Sequence, residues 1–220
     1  MSSETPGRRG RPPSDDKRRS ILAAAEAIFL REGYRGASMD EITSLAKVSK
    51  PTVYRHFGNK EDLFIALVSE MTTMAGDQVP DELPAPSDLD ELRDQLATHA
   101  LRQLEAVLTP RLIQLRRVVI GEVPRFPELA QVLHDAGPQR AINTLTRAFQ
   151  AAAKAGLLTA PRPEVVGRQF NWLVMGEPIN RAMLLGDAAI PTRRQLARHA
   201  RQCADLIVAA YGAEPCTSKR

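Results

Sequence analysis

Two cysteines, Cys203 and Cys216, are all that the 220 residues contain. So few cannot form a disulfide framework, so apolar packing has to build the core. Apolar residues make up 43% of the chain, an ordinary share for that task. No apolar run approaches the ~18 residues of a membrane span, and the longest candidate, 170–175, is broken by Gly176, Glu177 and Pro178. The N-terminus is basic but has no apolar stretch before Ile21, so it does not read as a secretory signal. A cytoplasmic protein with no membrane partner is expected. Catalytic signatures are missing too. There is no glycine-rich phosphate loop, nucleophile elbow or His-Glu-x-x-His run, and the four histidines, His56, His99, His134 and His199, are scattered. His199 and Cys203 stand four apart and could meet as metal ligands, but two ligands do not close a zinc site. A buried thiol beside a surface imidazole is the plainer reading. No enzyme activity, metal or cofactor is expected.

Charge is distributed unevenly. Residues 1–60 hold twelve lysines and arginines against seven acids, while the remaining 160 hold eighteen against nineteen. All the excess positive charge therefore lies in the first quarter. A basic module on a neutral body is the electrostatic footprint of a nucleic-acid reader.

Residues 38–60 give that module a shape. Met39, Ile42, Leu45 and Ala46 recur at helical spacing, and Ser38 with Glu41 three residues on forms a capping box before them. Ser49 opens a second helix as its N-cap, and Pro51 falls in the first turn, where a missing N–H costs nothing. Val53 and Phe57 supply its buried side. Lys50, Thr52, Tyr54, Arg55 and His56 supply the other, with no acid among them. A short helix of this kind suits the major groove: residues near its start can reach base edges while Tyr, His and Lys hold phosphates.

The run from Ile42 to Phe64 resembles the DNA-binding domain of the TetR family of transcriptional regulators. The resemblance rests on Ile42, Ala46, Val48, Ser49, Tyr54, His56, Phe57, Lys60, Leu63 and Phe64, all in register with that family's pattern. It implies DNA contacts from Ser38, Thr43, Lys47, Ser49, Lys50, Pro51, Thr52, Tyr54, Arg55, His56 and Lys60. Two positions depart from the pattern. Lys47 stands where a turn glycine is usual, at a cost on the order of 1–2 kcal/mol for a left-handed backbone. Pro51 replaces a commoner small residue and stiffens the reading helix.

The remaining chain frames this element. Residues 1–14 are rich in Gly, Pro, Ser and Arg without apolar period, and read as a disordered basic arm. Arg9 and Arg11 have the composition to enter a narrow minor groove, or the arm only solubilises. Ser14 is expected to cap a first helix that Gly33 ends. Residues 15–60 then form the helix-turn-helix domain. Leu63, Phe64, Leu67, Val68 and Met71 mark a connecting helix, followed by a proline-rich loop. Residues 61–213 form the second domain, which reads as all helix from Asp88 on, with breaks at Pro110, Gly121, Gly137-Pro138, Gly156 and Gly186, a kink at Pro178, and a short tail at 214–220. Neither strand nor repeat appears. The fold class is all-α, with about nine or ten helices as the resemblance implies.

The second domain is expected to bind a small-molecule effector and to dimerise. Phe126, Phe149, Trp172, Met74 and Met175 offer wide, adaptable apolar surface, and Leu104, Arg116 and Ile120 complete the candidate lining. Most of these also suit an ordinary core. Asn171, Glu177, Asn180 and Arg181 interrupt an apolar run and need partners: a ligand, a second subunit, or, for Glu177 and Arg181, each other. Helices over 138–156 and 163–186 are the expected dimer contact. These features imply a homodimeric regulator, most simply a repressor, on a pseudo-palindromic double-stranded DNA operator; an architectural DNA-binding protein without a switch is the alternative.

Overall fold

The computed structural model describes residues 13–160 and 162–213. Arg9, Arg11 and Cys216 lie outside them. The chain divides into two compact units, Met1–Leu67 and Val68–Arg220. Among the described residues there is no strand, only ten α-helical segments and two short non-α turns of helix.

In the first unit, α1 (Pro13–Gly36) begins one residue before Ser14, which lies in its opening turn. Gly33 (φ 70°, ψ 177°) breaks the helix where expected. α2 (Met39–Ala46) starts at Ser38, whose hydroxyl accepts from the Asp40 N–H at 3.2 Å. The reciprocal half of the capping box is missing, because the Glu41 carboxylate pairs with Arg31. Ile42, Thr43 and Ala46 are buried, whereas Leu45 is 52% exposed, against expectation. The reason is angular: at 100° per residue, Leu45 sits about 100° off the centre of the face that the other three share. Lys47 closes α2 in the left-handed region (φ 54°, ψ 42°), and the following Val48 N–H reaches back to the Thr43 carbonyl at 3.2 Å. α3 (Lys50–Phe57) buries Val53 and Phe57. Phe29, Tyr34 and Phe64 form one aromatic cluster in this unit, with centroids 4.7–6.0 Å apart.

α4 (Lys60–Gly76) carries the chain from the first unit into the second. α5 (Leu89–Val107) is capped by Asp88, and α6 (Pro110–Glu122) by Thr109. α6 runs through Gly121, which was expected to stop it. A larger departure follows. α7 (Pro127–His134) and α8 (Arg140–Lys154) are not separated by a helix start at Gly137-Pro138 but joined by a π-helical turn, Asp135–Gln139. The wider i→i+5 winding accommodates a proline inside a continuous rod that α geometry would break. α9 (Pro163–Leu185) contains Pro178 and ends at Gly186; α10 (Arg193–Tyr211) opens on a full capping box from Thr192 and Gln195. α8 and α9 pack closely because position 167 is glycine: a Cβ there would sit 3.0 Å from the Thr146 nitrogen. The core of this unit gathers Leu92, Leu96, Leu104, Leu145, Phe149, Phe170, Val174 and Leu196. Phe149 meets Phe170 edge-on at 6.0 Å.

Candidate nucleic-acid interface and internal cavity

The outer side of α3 and the turn before it expose Lys47, Ser49, Lys50, Pro51, Tyr54 and Arg55 together, with Thr52 and His56 half-buried beside them. These side chains are organised rather than loose. The Ser49 and Thr52 hydroxyls lie 2.8 Å apart and share a hydrogen bond. Lys50 Nζ donates to Asp40 Oδ1 at 2.7 Å, and this hydrogen bond, then the carboxylate's charge, raises the lysine pKa. Lys60, at the start of α4, lies 4.8 Å over the Tyr34 ring and 3.5 Å from the Arg35 carbonyl. Two expected contacts are turned to other work. Thr43 is buried, its hydroxyl donating to the Asp40 carbonyl at 2.8 Å, and Ser38 serves as the N-cap of α2.

The second unit contains a cavity bounded by α4, the loop at 79–81, α5, α6, α7, the π turn, α8 and α9, with about 90 Å³ open to the centre of a water molecule. Of the residues expected to line it, Arg116, Trp172 and Met175 do so. Leu104 and Phe149 are instead fully buried core residues, because their helix faces point to the α5–α8–α9–α10 centre. Phe126 is buried without reaching the cavity, and Met74 and Ile120 are exposed on the outer sides of α4 and α6. Five lining residues that sequence reasoning passed over or left unplaced are polar and almost fully buried: Thr72, His99, Gln103, Thr144 and Asn171, of which His99, Gln103 and Asn171 keep polar atoms without a partner among the described residues. Gln103 Nε2 donates to Asn171 Oδ1 at 2.9 Å. Burial, and to a lesser degree the charge of Arg102, lowers the His99 pKa to about 4, so its ring is neutral at pH 7. A signal for two of them was present: His99 and Gln103 are four apart within an otherwise Leu/Ala stripe of α5. Of the other polar residues, Glu177 and Arg181 take the intrahelical option at 3.7 Å, on the surface.

No metal site competes with this reading among the described residues, where no group of three or more His, Cys, Asp or Glu converges. His199 and Cys203 do meet, Nε2 to Sγ 3.6 Å, but the imidazole also bonds the Val174 carbonyl and burial pushes the thiol up to about 11. That keeps the thiol protonated at neutral pH. No helix among the described residues is long and apolar enough to cross a membrane.

A basic helix-turn-helix unit joined to an all-helical unit is the architecture of a class of DNA-binding transcriptional regulators. Residues 21–67 match the model of bacterial regulatory proteins of the tetR family, and residues 94–213 match the C-terminal domain of AefR-like transcriptional repressors. The second match alone covers more than half of the chain, which belongs to the TetR family of DNA-binding transcriptional regulators. The transcriptional activator FasR of Mycolicibacterium smegmatis is 47% identical over 62 residues, 28% of either chain. The chain likewise spans less than two thirds of the length of three further curated regulators. Among solved structures, a TetR-family regulator from Mesorhizobium loti is 29% identical, with a TM-score of 0.79 over 92% of this chain and all of that one. The flavonoid-responsive regulator FrrA is 26% identical, with a TM-score of 0.74 over 91% of this chain and all of that one.

Proposed function

We propose that the protein is a homodimeric repressor whose hold on a pseudo-palindromic operator is released by a small-molecule effector. The cavity carries this reading. A domain that only had to fold would fill such a space or satisfy its polar lining; here an apolar chamber surrounds three buried polar side chains with atoms left over. The repressor type of the matched C-terminal domain supports the sign of regulation, and the flavonoid response in FrrA's name supports a small organic effector. FasR is named an activator, but it aligns over only 62 residues.

In this reading residues 15–60 bind DNA and 61–213 sense and dimerise. Lys50 and Thr52, near the start of α3, read bases, while Tyr54, His56 and Lys60 hold phosphates. Arg55, Lys47, Ser49 and Pro51 flank them, and Arg9 and Arg11 reach the minor groove. The dimer forms through α9 and α10, not through the 138–156 helix. The outer side of α8 presents Asn143, Arg147, Gln150 and Lys154, whereas Leu173, Leu184 and Leu185 on α9 and Leu206 on α10 are exposed. Cys203 Sγ lies 3.6 Å from the Leu173 carbonyl, which puts Leu206, one turn on, on the neighbouring surface. Ala152 is fully buried within the monomer, so it serves the core and not the contact. Thr72, Ala75 and Gly76 of α4 line the cavity, and Lys60 lies in the first turn of that same helix. Effector occupancy and DNA contact therefore both involve residues of one helix, and a coupling of ~1–3 kcal/mol suffices for a switch. Electrophoretic mobility shift with the DNA flanking the protein's own gene, with and without added effector candidates, tests the proposal. Retarded complexes that no small molecule ever releases would contradict it.

A further inference from the structure

The cavity is apolar but chemically asymmetric, and its polar groups describe what it takes; the inference rests on its reading as the effector site. On α5 and α9, His99, Gln103 and Asn171 are 4%, 6% and 1% exposed. After the Gln103–Asn171 bond is made, Gln103 Oε1, Asn171 Nδ2 and both His99 ring nitrogens have no partner among the described residues. The neutral imidazole carries one N–H and one bare nitrogen. Together the three side chains offer donors and acceptors at once, the complement of a hydroxyl.

The cations lining the cavity differ in a decisive way. Arg140 is fully engaged: its guanidinium binds Asp81 through two bonds of 2.8 and 2.7 Å and Asp77 through a third of 2.9 Å. Arg116 on α6 makes no hydrogen bond or ion pair among the described residues, and burial alone lowers its pKa. A desolvated guanidinium without a counter-charge is costly, and a planar anion relieves it with two parallel bonds. A cationic ligand would add to the cost. The space holds several water molecules, given the roughly 10–15 Å³ that one needs on this measure, so the apolar body is one or two rings in size. Trp172, half-exposed at the rim, provides a flat wall.

We infer that the effector is a small amphipathic organic anion, with its carboxylate or phenolate on Arg116, a flat apolar body along Trp172 and Met175, and a hydroxyl on the His99–Gln103–Asn171 group. Calorimetric titration of the full chain with 4-hydroxybenzoate and 6-hydroxy-2-naphthoate tests this, alongside their carboxamides, the corresponding arylmethylammonium ions and the acids without the hydroxyl. At least one hydroxy acid binds about tenfold or more tighter than its amide, the strength expected of charge-assisted hydrogen bonds. Arg116→Gln erases the preference for acid over amide and melts no lower than wild type, because the arginine has no structural partner to lose; Arg116→Lys retains part of the preference. Gln103→Leu erases the advantage of the hydroxy acid over the plain acid. Neither acid binding at millimolar concentration, amide or ammonium binding as well as acid, or an acid preference that survives Arg116→Gln would each overturn the inference. Operator release is followed separately by fluorescence anisotropy. Arg116-dependent binding that releases no DNA refutes the switch and leaves the site chemistry standing, whereas release by neutral or cationic compounds alone upholds the switch and refutes the anion.

Discussion

Lys50, the first residue of α3, is tied at 2.7 Å to Asp40 in the first turn of α2. The contact joins the two helices of the DNA-binding motif through a side chain proposed to meet DNA, and it puts a carboxylate beside the proposed DNA-facing surface. Both groups are largely exposed, so the pair adds little to stability; its consequence is for binding. Asp40→Asn should raise affinity for all DNA sequences severalfold and steepen the salt dependence by about one released counterion, with the melting temperature nearly unchanged. Anisotropy titrations between low and moderate salt measure both. If Asp40→Asn and Lys50→Ala weaken binding alike, the pair is scaffold for the motif and not a brake on it.

His99 predicts a particular acid response. Its folded pKa of about 4 lies below the ordinary value of 6.5, so between those limits the unfolded chain takes up a proton that the folded chain refuses. Stability is therefore undiminished above about pH 6.5 and falls as pH drops towards 4, by roughly 3 kcal/mol if the whole shift is expressed. His99→Gln should flatten that stretch of the stability–pH curve in urea denaturation. The buttressed carboxylates act lower. Arg140 holds Asp81 below the usual carboxylate range, so its contribution persists above that range and disappears only as pH falls beneath it. A wild-type curve that is flat from pH 6.5 to 4.5 would mean that His99 is wetter than its burial indicates.

The proposed dimer face makes a separable prediction. Leu173 and Leu206 are exposed in the protomer, so Leu206→Glu should leave its fold and melting cooperativity intact while producing a monomer by size exclusion with light scattering. One helix-turn-helix contacts too little DNA for strong specificity, and two-fold sites need a two-fold protein. Operator affinity should therefore drop by at least about two orders of magnitude, although no reading residue has changed. Ala152→Glu makes the contrast: it buries a charge in the protomer core and should cost solubility and folding outright.

The DNA-binding motif was legible in the sequence because its signals are local. Capping serines, a proline in a first turn and apolar residues three or four apart all act within a few residues of one another. Lys47 even announced its left-handed backbone by standing where glycine is usual. Leu45 misled because spacing alone does not say where the centre of a face lies. The π turn at 135–139 was hidden for a different reason: Gly-Pro reads as a helix start, and only the packed surroundings turn it into a passage between helices. The cavity was the least legible part. Its lining comes from six α-helices, the π turn and a loop, and whether Phe149 or Trp172 faces it depends on helix rotations that packing decides. Arg116, Trp172 and Met175 were found by residue type; the polar group that gives the space its character joins α5 to α9, 68 residues apart.

Footprinting on the DNA flanking the protein's own gene tests the central claim most directly, with Thr52→Ala and Lys60→Ala beside the wild type. The account predicts protection of a pseudo-palindrome whose half-sites lie about one helical turn apart, ~34–36 Å, or at a modified spacing. Thr52→Ala should blur that preference, whereas Lys60→Ala should weaken binding to every sequence and flatten the salt slope by about 1. Uniform, salt-steep coverage by the wild type with no bounded site, or an operator preference that Lys60→Ala alters and Thr52→Ala leaves intact, would contradict it.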